Sequence, residues 1–277
     1  MRQSGTRTRG SDAGLRFGIL GSGSRGNAAL IESGGTCVML DCGLSVKETV
    51  TRLARLGRAP EDVTAIVVTH EHDDHVSGVL AFARRYRTPV WMTPGTCAAV
   101  TRYNSAGGAT ADLPGIRQFS PHEPFEIDGL RLEPFPVPHD AREPAQFVFT
   151  NGDVRLGYLT DLGSSTAHVE KALSGCHALV LECNHDRELL KNSSYPPSLK
   201  TRIAGAHGHL SNDQAAELLG HLDFGWLRHI VAAHLSEQNN RPDLACAALA
   251  RALDCVPDWV QVADQNAGLP WRDVVRD

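Results

Sequence analysis

Thr64-Ala-Ile-Val-Val-Thr69, followed at once by His70-Glu-His72-Asp-Asp74-His75, decides the fold. The first six residues are apolar or β-branched without interruption, which is the pattern of a buried strand. The next six set three imidazoles among acids. A strand ending in His-x-His-x-Asp-His hands its ligands to a loop at a sheet edge, where a rigid support aims them. Imidazole and carboxylate together suit zinc, and also manganese or iron. A solvated His-rich loop is the plain alternative, and the residues downstream argue against it.

Those residues close further apolar runs. Leu130 to Val137 leads to His139, Leu156-Gly-Tyr-Leu-Thr-Asp161 ends in a carboxylate, and Trp226 to His234 ends in an imidazole. Singly, each would pass for an ordinary polar residue. With the hexapeptide they make seven ligands available: His70, His72, Asp74, His75, His139, Asp161 and His234. That is the composition of a site for two divalent ions, zinc or manganese, with iron as a further option.

The pattern resembles the metallo-β-lactamase superfamily of metal hydrolases, from about Leu15 to the C-terminus. The resemblance implies that His70, His72 and His139 take one metal, that Asp74, His75 and His234 take the other, and that Asp161 bridges them. Asp41, in Val38-Met-Leu-Asp41-Cys-Gly43, matches the family's acid after an early strand and would orient a ligand or the loop. A carboxylate at position 161 argues against broad-spectrum β-lactamases, which carry cysteine there. A finer resemblance lies in Ser22-Gly-Ser-Arg-Gly-Asn27, Leu181-Glu-Cys-Asn-His-Asp186, Tyr195-Pro196, Leu199-Lys-x-Arg-Ile203, Gly208-His-Leu-Ser-Asn212 and His234-Leu-Ser-Glu-Gln-Asn-Asn240. These segments are similar to the YycJ/WalJ branch, described as DNA exonucleases working from the 5′ end. The last two are the specific ones. Ser194 departs from that branch, where glycine is expected before Tyr195.

Length and composition fit one compact unit over residues 14–277, preceded by a disordered basic arm over 1–13. The arm has charge but no apolar core, so it does not read as a secretory signal. No apolar run approaches the roughly 20 residues that span a bilayer. The seven cysteines are scattered and form no Cys-x-x-Cys pair, which points to a reducing cytoplasm. The net charge of −5 gives no electrostatic footprint of nucleic-acid binding. Two divalent ions would offset Asp41, Asp74 and Asp161, and basic clusters exist locally. Arg52, Arg55 and Arg58 recur at helical spacing and read as a solvated helix face. Lys200 and Arg202 are better placed to contact phosphate. Nothing indicates an obligate protein partner or an oligomeric state.

Strands are expected over Leu15–Leu20, Ala28–Ser33, Thr36–Asp41, Thr64–Thr69, Val90–Met92, Leu130–Val137, Gln146–Thr150, Leu156–Asp161, Ala178–Glu182 and up to His234. Helices are expected over Ser45–Leu56 with a Ser45/Glu48 capping box, Ser77–Tyr86, Pro94–Val100, Ser165–Leu173, Ser211–His221 and Pro242–Leu253. The Gly/Ala-rich stretch Asn104–Pro114 is a mobile-loop candidate. Strand groups with interspersed helices fit an α/β fold of the αββα four-layer sandwich type. Gly21-x-Gly23-x-x-Gly26 mimics a dinucleotide fingerprint, but the residues after it are too short and too glycine-rich for the helix such a site needs. A loop whose Ser24 or Asn27 touches substrate phosphate is the better reading.

Two ions about 3.5–4 Å apart would hold a bridging water as hydroxide to attack phosphorus or a carbonyl carbon. His209 is the candidate proton donor to the leaving alkoxide. Its segment resembles the His-Ser-Thr segment of ribonuclease Z enzymes, in which a glutamate supports the histidine, and Glu182 is the matching position. His185 and His207 are weaker candidates. Asp74, Glu182 and His209 would form the catalytic group, and Tyr195 would stack on or bond to a terminal nucleotide. The expected activity is metal-dependent phosphodiester hydrolysis on DNA. A glyoxalase II-like thioester hydrolase would use the same seven ligands, and Glu182/His209 with Lys200/Arg202 favour phosphodiesters over it. A metal-dependent binding module without turnover fits an intact ligand set poorly.

Overall fold

The computed structural model describes residues 14–105 and 115–276. The basic arm and most of the Asn104–Pro114 stretch lie outside the described residues. The first half runs β1 (Leu15–Gly21), β2 (Ala28–Ser33), β3 (Thr36–Leu40), α1 (Val46–Arg55), β4 (Ala65–Val67), α2 (Asp73–Val76), α3 (Val79–Tyr86), β5 (Val90–Met92), α4 (Pro94–Ser105) and β6 (Ile116–Gln118). The second half runs β7 (Phe125–Ile127), β8 (Leu130–Pro136), β9 (Ala145–Thr150), β10 (Arg155–Leu159), α5 (Ala167–Leu173), β11 (Ala178–Glu182), α6 (Arg187–Asn192), α7 (Pro197–Ile203), α8 (Asn212–His221), β12 (His229–Ala233), α9 (Pro242–Leu253), β13 (Gln261–Val262) and β14 (Leu269–Val274).

Two seven-stranded sheets result, ordered β14-β1-β2-β3-β4-β5-β6 and β13-β12-β11-β10-β9-β8-β7. Side chains alternate across each strand and sort the core into layers. Leu15, Phe17, Ile19, Val38 and Leu40 of the first sheet face Phe147, Phe149, Leu156, Ala178 and Val180 of the second. The opposite faces of the same strands bury Leu30, Met39 and Ile66 under α1 and α3, and Leu179, Leu181 and Ile230 under α5, α8 and α9. Helix, sheet, sheet, helix is the αββα sandwich of the metallo-β-lactamase fold.

Within each sheet one run of strands is parallel, β3 to β6 and β10 to β13. Parallel strands present their carboxyl ends on one edge, and the side chains that carry the chemistry gather there. Gly21-x-Gly23-x-x-Gly26 joins β1 to β2, which are antiparallel neighbours, so no helix follows it. Two glycines allow backbones to touch at this edge. A Cβ at Gly43 would overlap the Asp74 carbonyl, and one at Gly78 would overlap the Leu44 carbonyl.

Several expectations change. The ligand segment is not loop throughout, since Asp73–Val76 forms one helical turn before the next helix starts at Val79. At α1 the Ser45 hydroxyl accepts from the Glu48 N–H, but Glu48 turns its carboxylate to Arg52 instead of closing the box. Arg52 is buried, not solvated, and donates to the Leu20 and Gln265 carbonyls at 3.0 and 2.7 Å. Arg58 pairs with Glu32 at 2.6 Å, and Arg55 donates to the Asn266 carbonyl at 2.8 Å. The strand before His234 starts only at His229. The short strands β6, β7 and β13, the helices α6 and α7, and β14 pairing back onto β1 add to the elements expected from the sequence.

Candidate metal centre

The donor atoms converge in overlapping groups. His70, His72 and His139 bring one ligand atom each to within 4.8 Å of one another, and so do Asp74, His75 and His234. His70 follows β4, His139 follows β8, and His234 follows β12, while Asp74 and His75 ride on α2. Asp161 reaches both triads: its Oδ2 is 3.1 Å from His75 Nε2, and its Oδ1 is 3.8 Å from His139 Nε2. Three residues at this edge adopt left-handed backbone, Asp41 (φ 58°), Asp161 (φ 55°) and His234 (φ 54°). Non-glycine residues avoid that region, at a cost on the order of 1–3 kcal/mol each, and such strain collects at functional sites.

Several of the candidate ligands are aimed by a partner behind them. Asp41 accepts from the Thr69 N–H and hydroxyl and stands 2.8 Å from His75 Nδ1, which leaves Nε2 directed into the centre. His139 Nδ1 donates to the Gly208 carbonyl at 3.0 Å. Glu182, fully buried, is shared by five donors: the backbone N–H groups of Asp161, Leu162 and Leu210, and Nδ1 of His209 and His234. The His234 backbone is pinned on both sides, its N–H to the Ser22 hydroxyl and its carbonyl to the Asn184 amide.

These surroundings fit cations. His70 Nε2 and His139 Nε2 lie 3.1 and 3.3 Å from His72 Nδ1, nitrogen against nitrogen, an approach that a shared cation would reward. Burial, then the charge of His75, pushes His70 far below the usual imidazole range, and burial also lowers His139. Those imidazoles stay neutral with lone pairs to give, as metal ligands must. Around the acids the sign reverses. Burial opposes charge on His75, yet Asp161, Asp74 and Asp41 push it well up. Burial likewise opposes charge on His234, and the neighbouring carboxylates of Asp161, Asp74 and Glu182 still lift it to about 10. Burial would raise Glu182, but His209 and the bond from His234 hold it down at about 2. Asp161 Oδ2 and His234 Nε2 are buried without a hydrogen bond. The His/Asp cluster is typical of a binuclear metal site.

A cleft of about 320 Å³ opens over the centre, lined among others by Ser24, Asp74, Tyr195, Arg202 and His209. His209 offers Nδ1 to Glu182 at 2.8 Å, and its side chain remains 22% exposed. Asn27 lies beneath the cleft, donating to the Asp74 carboxylate at 3.1 Å with its Nδ2 3.0 Å from His75 Nε2. Lys200 does not join the cleft lining, because its ammonium donates to the Lys191 and Ser193 carbonyls at 2.7 Å each. Arg202 does, braced by Asp140 at 2.6 Å. His185 and His207 are not among the lining residues. Sequence reasoning missed Thr69, Asp140, Asn184 and Ser22. Each adjoins a residue or motif already singled out, which was the available signal.

The Beta-lactamase superfamily domain is matched over residues 36–234. The chain is 34% identical over 241 residues to an exodeoxyribonuclease YycJ of Bacillus anthracis, covering 87% of this chain and 90% of that protein. It is 34% identical over 244 residues to an exodeoxyribonuclease WalJ of Streptococcus pneumoniae, covering 88% and 90%. Among solved structures, the metallo-beta-lactamase fold protein YhfI from Bacillus subtilis superposes with a TM-score of 0.72 at 14% identity, covering 95% of this chain and 100% of that one.

Proposed function

This chain belongs to the β-lactamase superfamily, and from that premise we propose that it is a metal-dependent phosphodiesterase acting as an exonuclease on DNA. It is a metallo-β-lactamase-fold hydrolase related to exodeoxyribonucleases that it matches over nine tenths of their length. The observation that carries the finer reading is the Glu182–His209 pair at the cleft. His70, His72 and His139 would hold one ion, and Asp74, His75 and His234 the other, with Asp161 between them. The ions, zinc or manganese, would supply an ionised water and neutralise charge on phosphate oxygens.

The chain's own groups complete the reaction. Glu182 occupies His209 Nδ1, so Nε2 is the nitrogen left to protonate a departing alkoxide. Arg202, its guanidinium set by Asp140, meets a phosphate near the centre. Tyr195 offers a ring on which a base stacks without regard to sequence. Ser24 stands beside it at the cleft wall. Asn27 steadies Asp74. A thioester needs no such acid, because a thiolate leaves unaided. All seven cysteines are unpaired, which supports a reducing, cytoplasmic setting. No helix among the described residues is long and apolar enough to cross a membrane.

The test is incubation of the metal-loaded protein with end-labelled single- and double-stranded DNA, with RNA, and with a thioester. Stepwise shortening of DNA is the expected result. Thioester hydrolysis with DNA untouched would overturn the reading.

A further inference from the structure

A second cleft, of about 490 Å³, abuts the first. His72 and Asp73 line both, so the two meet along the ligand segment itself. The second is walled by α4, through Ala99 and Arg102, and by the loop after His139, through Arg142. Ala99 and Arg102 are three residues apart, hence on one helix face, and Ala99 contributes only a small side chain to the groove wall.

The loop carrying Arg142 is bolted down. Its N–H donates to Glu71 at 2.8 Å, and the next residue, Glu143, accepts from the Gly95 N–H at 2.6 Å and the Thr93 hydroxyl at 2.9 Å. Glu71 is thus engaged by the frame, and also lies 3.5 Å from the Thr96 hydroxyl. Arg102 and Arg142 are both exposed, and neither guanidinium has an ion-pair partner among the described residues, in contrast to Arg202. The lone lining acid without such an engagement is Asp73, at the seam. Two exposed cations without an ion-pair partner among the described residues therefore line one groove that meets the cleft over the candidate metal centre.

We propose that this groove is the strand track of the enzyme: Arg102 and Arg142 hold phosphates of the DNA strand on the side of the centre opposite Tyr195 and Arg202. This rests on the nuclease reading above. The Tyr195 cleft takes the group at the scissile bond, and the Arg102/Arg142 groove takes the strand continuing from it. A compact ester would use only the first cleft. A polymer would use both, so these arginines set a preference for length.

The experiment compares kcat/KM on a dinucleotide and on a single-stranded 20-mer, with metal-loaded wild type, the double variant Arg102→Gln/Arg142→Gln, the double variant Arg102→Lys/Arg142→Lys, and Ala99→Leu. In the Gln variant the 20-mer to dinucleotide ratio is expected to fall severalfold. The slope of log(kcat/KM) against log salt for the 20-mer should become shallower by about 1.4, at about 0.7 per lost single-strand phosphate contact. The Lys variant, which keeps both point charges, should retain most of the ratio. Ala99→Leu should lower it by filling the groove with both charges in place. A Gln variant with the wild-type ratio and slope overturns the strand track and leaves the nuclease reading standing. Wild-type protein that cleaves no oligonucleotide of any length while hydrolysing a thioester overturns both.

Discussion

Glu182 shows how much one buried carboxylate can organise. Its Oε1 takes His209, His234 and the Asp161 N–H, and its Oε2 takes the Leu162 and Leu210 N–H groups. A candidate metal ligand, the proposed proton donor and the backbone of the proposed bridging acid are thereby set by one side chain. In the proposed mechanism His209 would serve only the departing group, so His209→Ala should slow DNA cleavage by about 10²–10⁴-fold, the usual contribution of a positioned acid, with both metals still bound. On a nitrophenyl phosphodiester, whose leaving group needs no proton, the loss should be much smaller. Equal losses on the two substrates would make His209 a positioning residue. The ligand register has its own test in metal content. Asp161→Ala should lower occupancy at both positions, because its two oxygens reach both triads. Asp73→Ala should keep both metals, since Asp73 is exposed and outside every candidate ligand group. Equal metal loss, by elemental analysis, would put the register out of step.

Among the elements, α1 carries the clearest structural lesson. Its arginine row reads as a solvated stripe, yet Arg52 is 5% exposed and ties α1 to β1 and to the turn at Gln265. Arg52→Ala strands two buried carbonyls and should cost about 2–3 kcal/mol, the scale of hydrogen bonds from a charged group. Thermal unfolding would register it as a lower midpoint, and a midpoint unchanged from wild type would mean that water replaces the guanidinium. This contact was illegible in the sequence because Gln265 lies 213 residues from Arg52 and only the pairing of β14 with β1 brings them together. The long β-branched and apolar runs were legible, since burial on both faces leaves an unbroken pattern. So was the His/Asp cluster, because its members stand at the ends of such runs or in the segment just after one. The short edge strands β6, β7 and β13 carry too few residues to show a period. The helical turn Asp73–Val76 was hidden by its own composition, as Asp74 and His75 belong to the candidate centre and four residues show no amphipathic period. Lys200 shows the opposite limit. Its residue type suits phosphate, but its ammonium closes the end of α6.

At the scale of the molecule, the candidate ligands come from both sheets. His70 follows β4 of the first sheet and Asp74 and His75 lie on the segment after it, while His139, Asp161 and His234 follow strands of the second. Each triad therefore draws on both sheets, and bound ions would fasten one to the other at the edge where the buried carboxylates Asp161 and Glu182 otherwise depend on protonated imidazoles. The inter-sheet core, with Phe17, Phe147 and Phe149 fully buried, owes nothing to metal. Chelation should then leave the far-UV circular dichroism at 25 °C close to that of the loaded protein while lowering the unfolding midpoint. A ligand present at 1,000 times its Kd contributes about 4 kcal/mol per site, so the shift should be several degrees and should depend on free metal concentration. Asp161→Ala provides the control: with its occupancy already low, it should respond to chelator much less than wild type does. If chelator moved both proteins equally, the shift would come from the chelator itself. If it unfolded the wild-type protein at 25 °C, the ions would be part of the core, and the two sheets would not hold together on apolar burial alone.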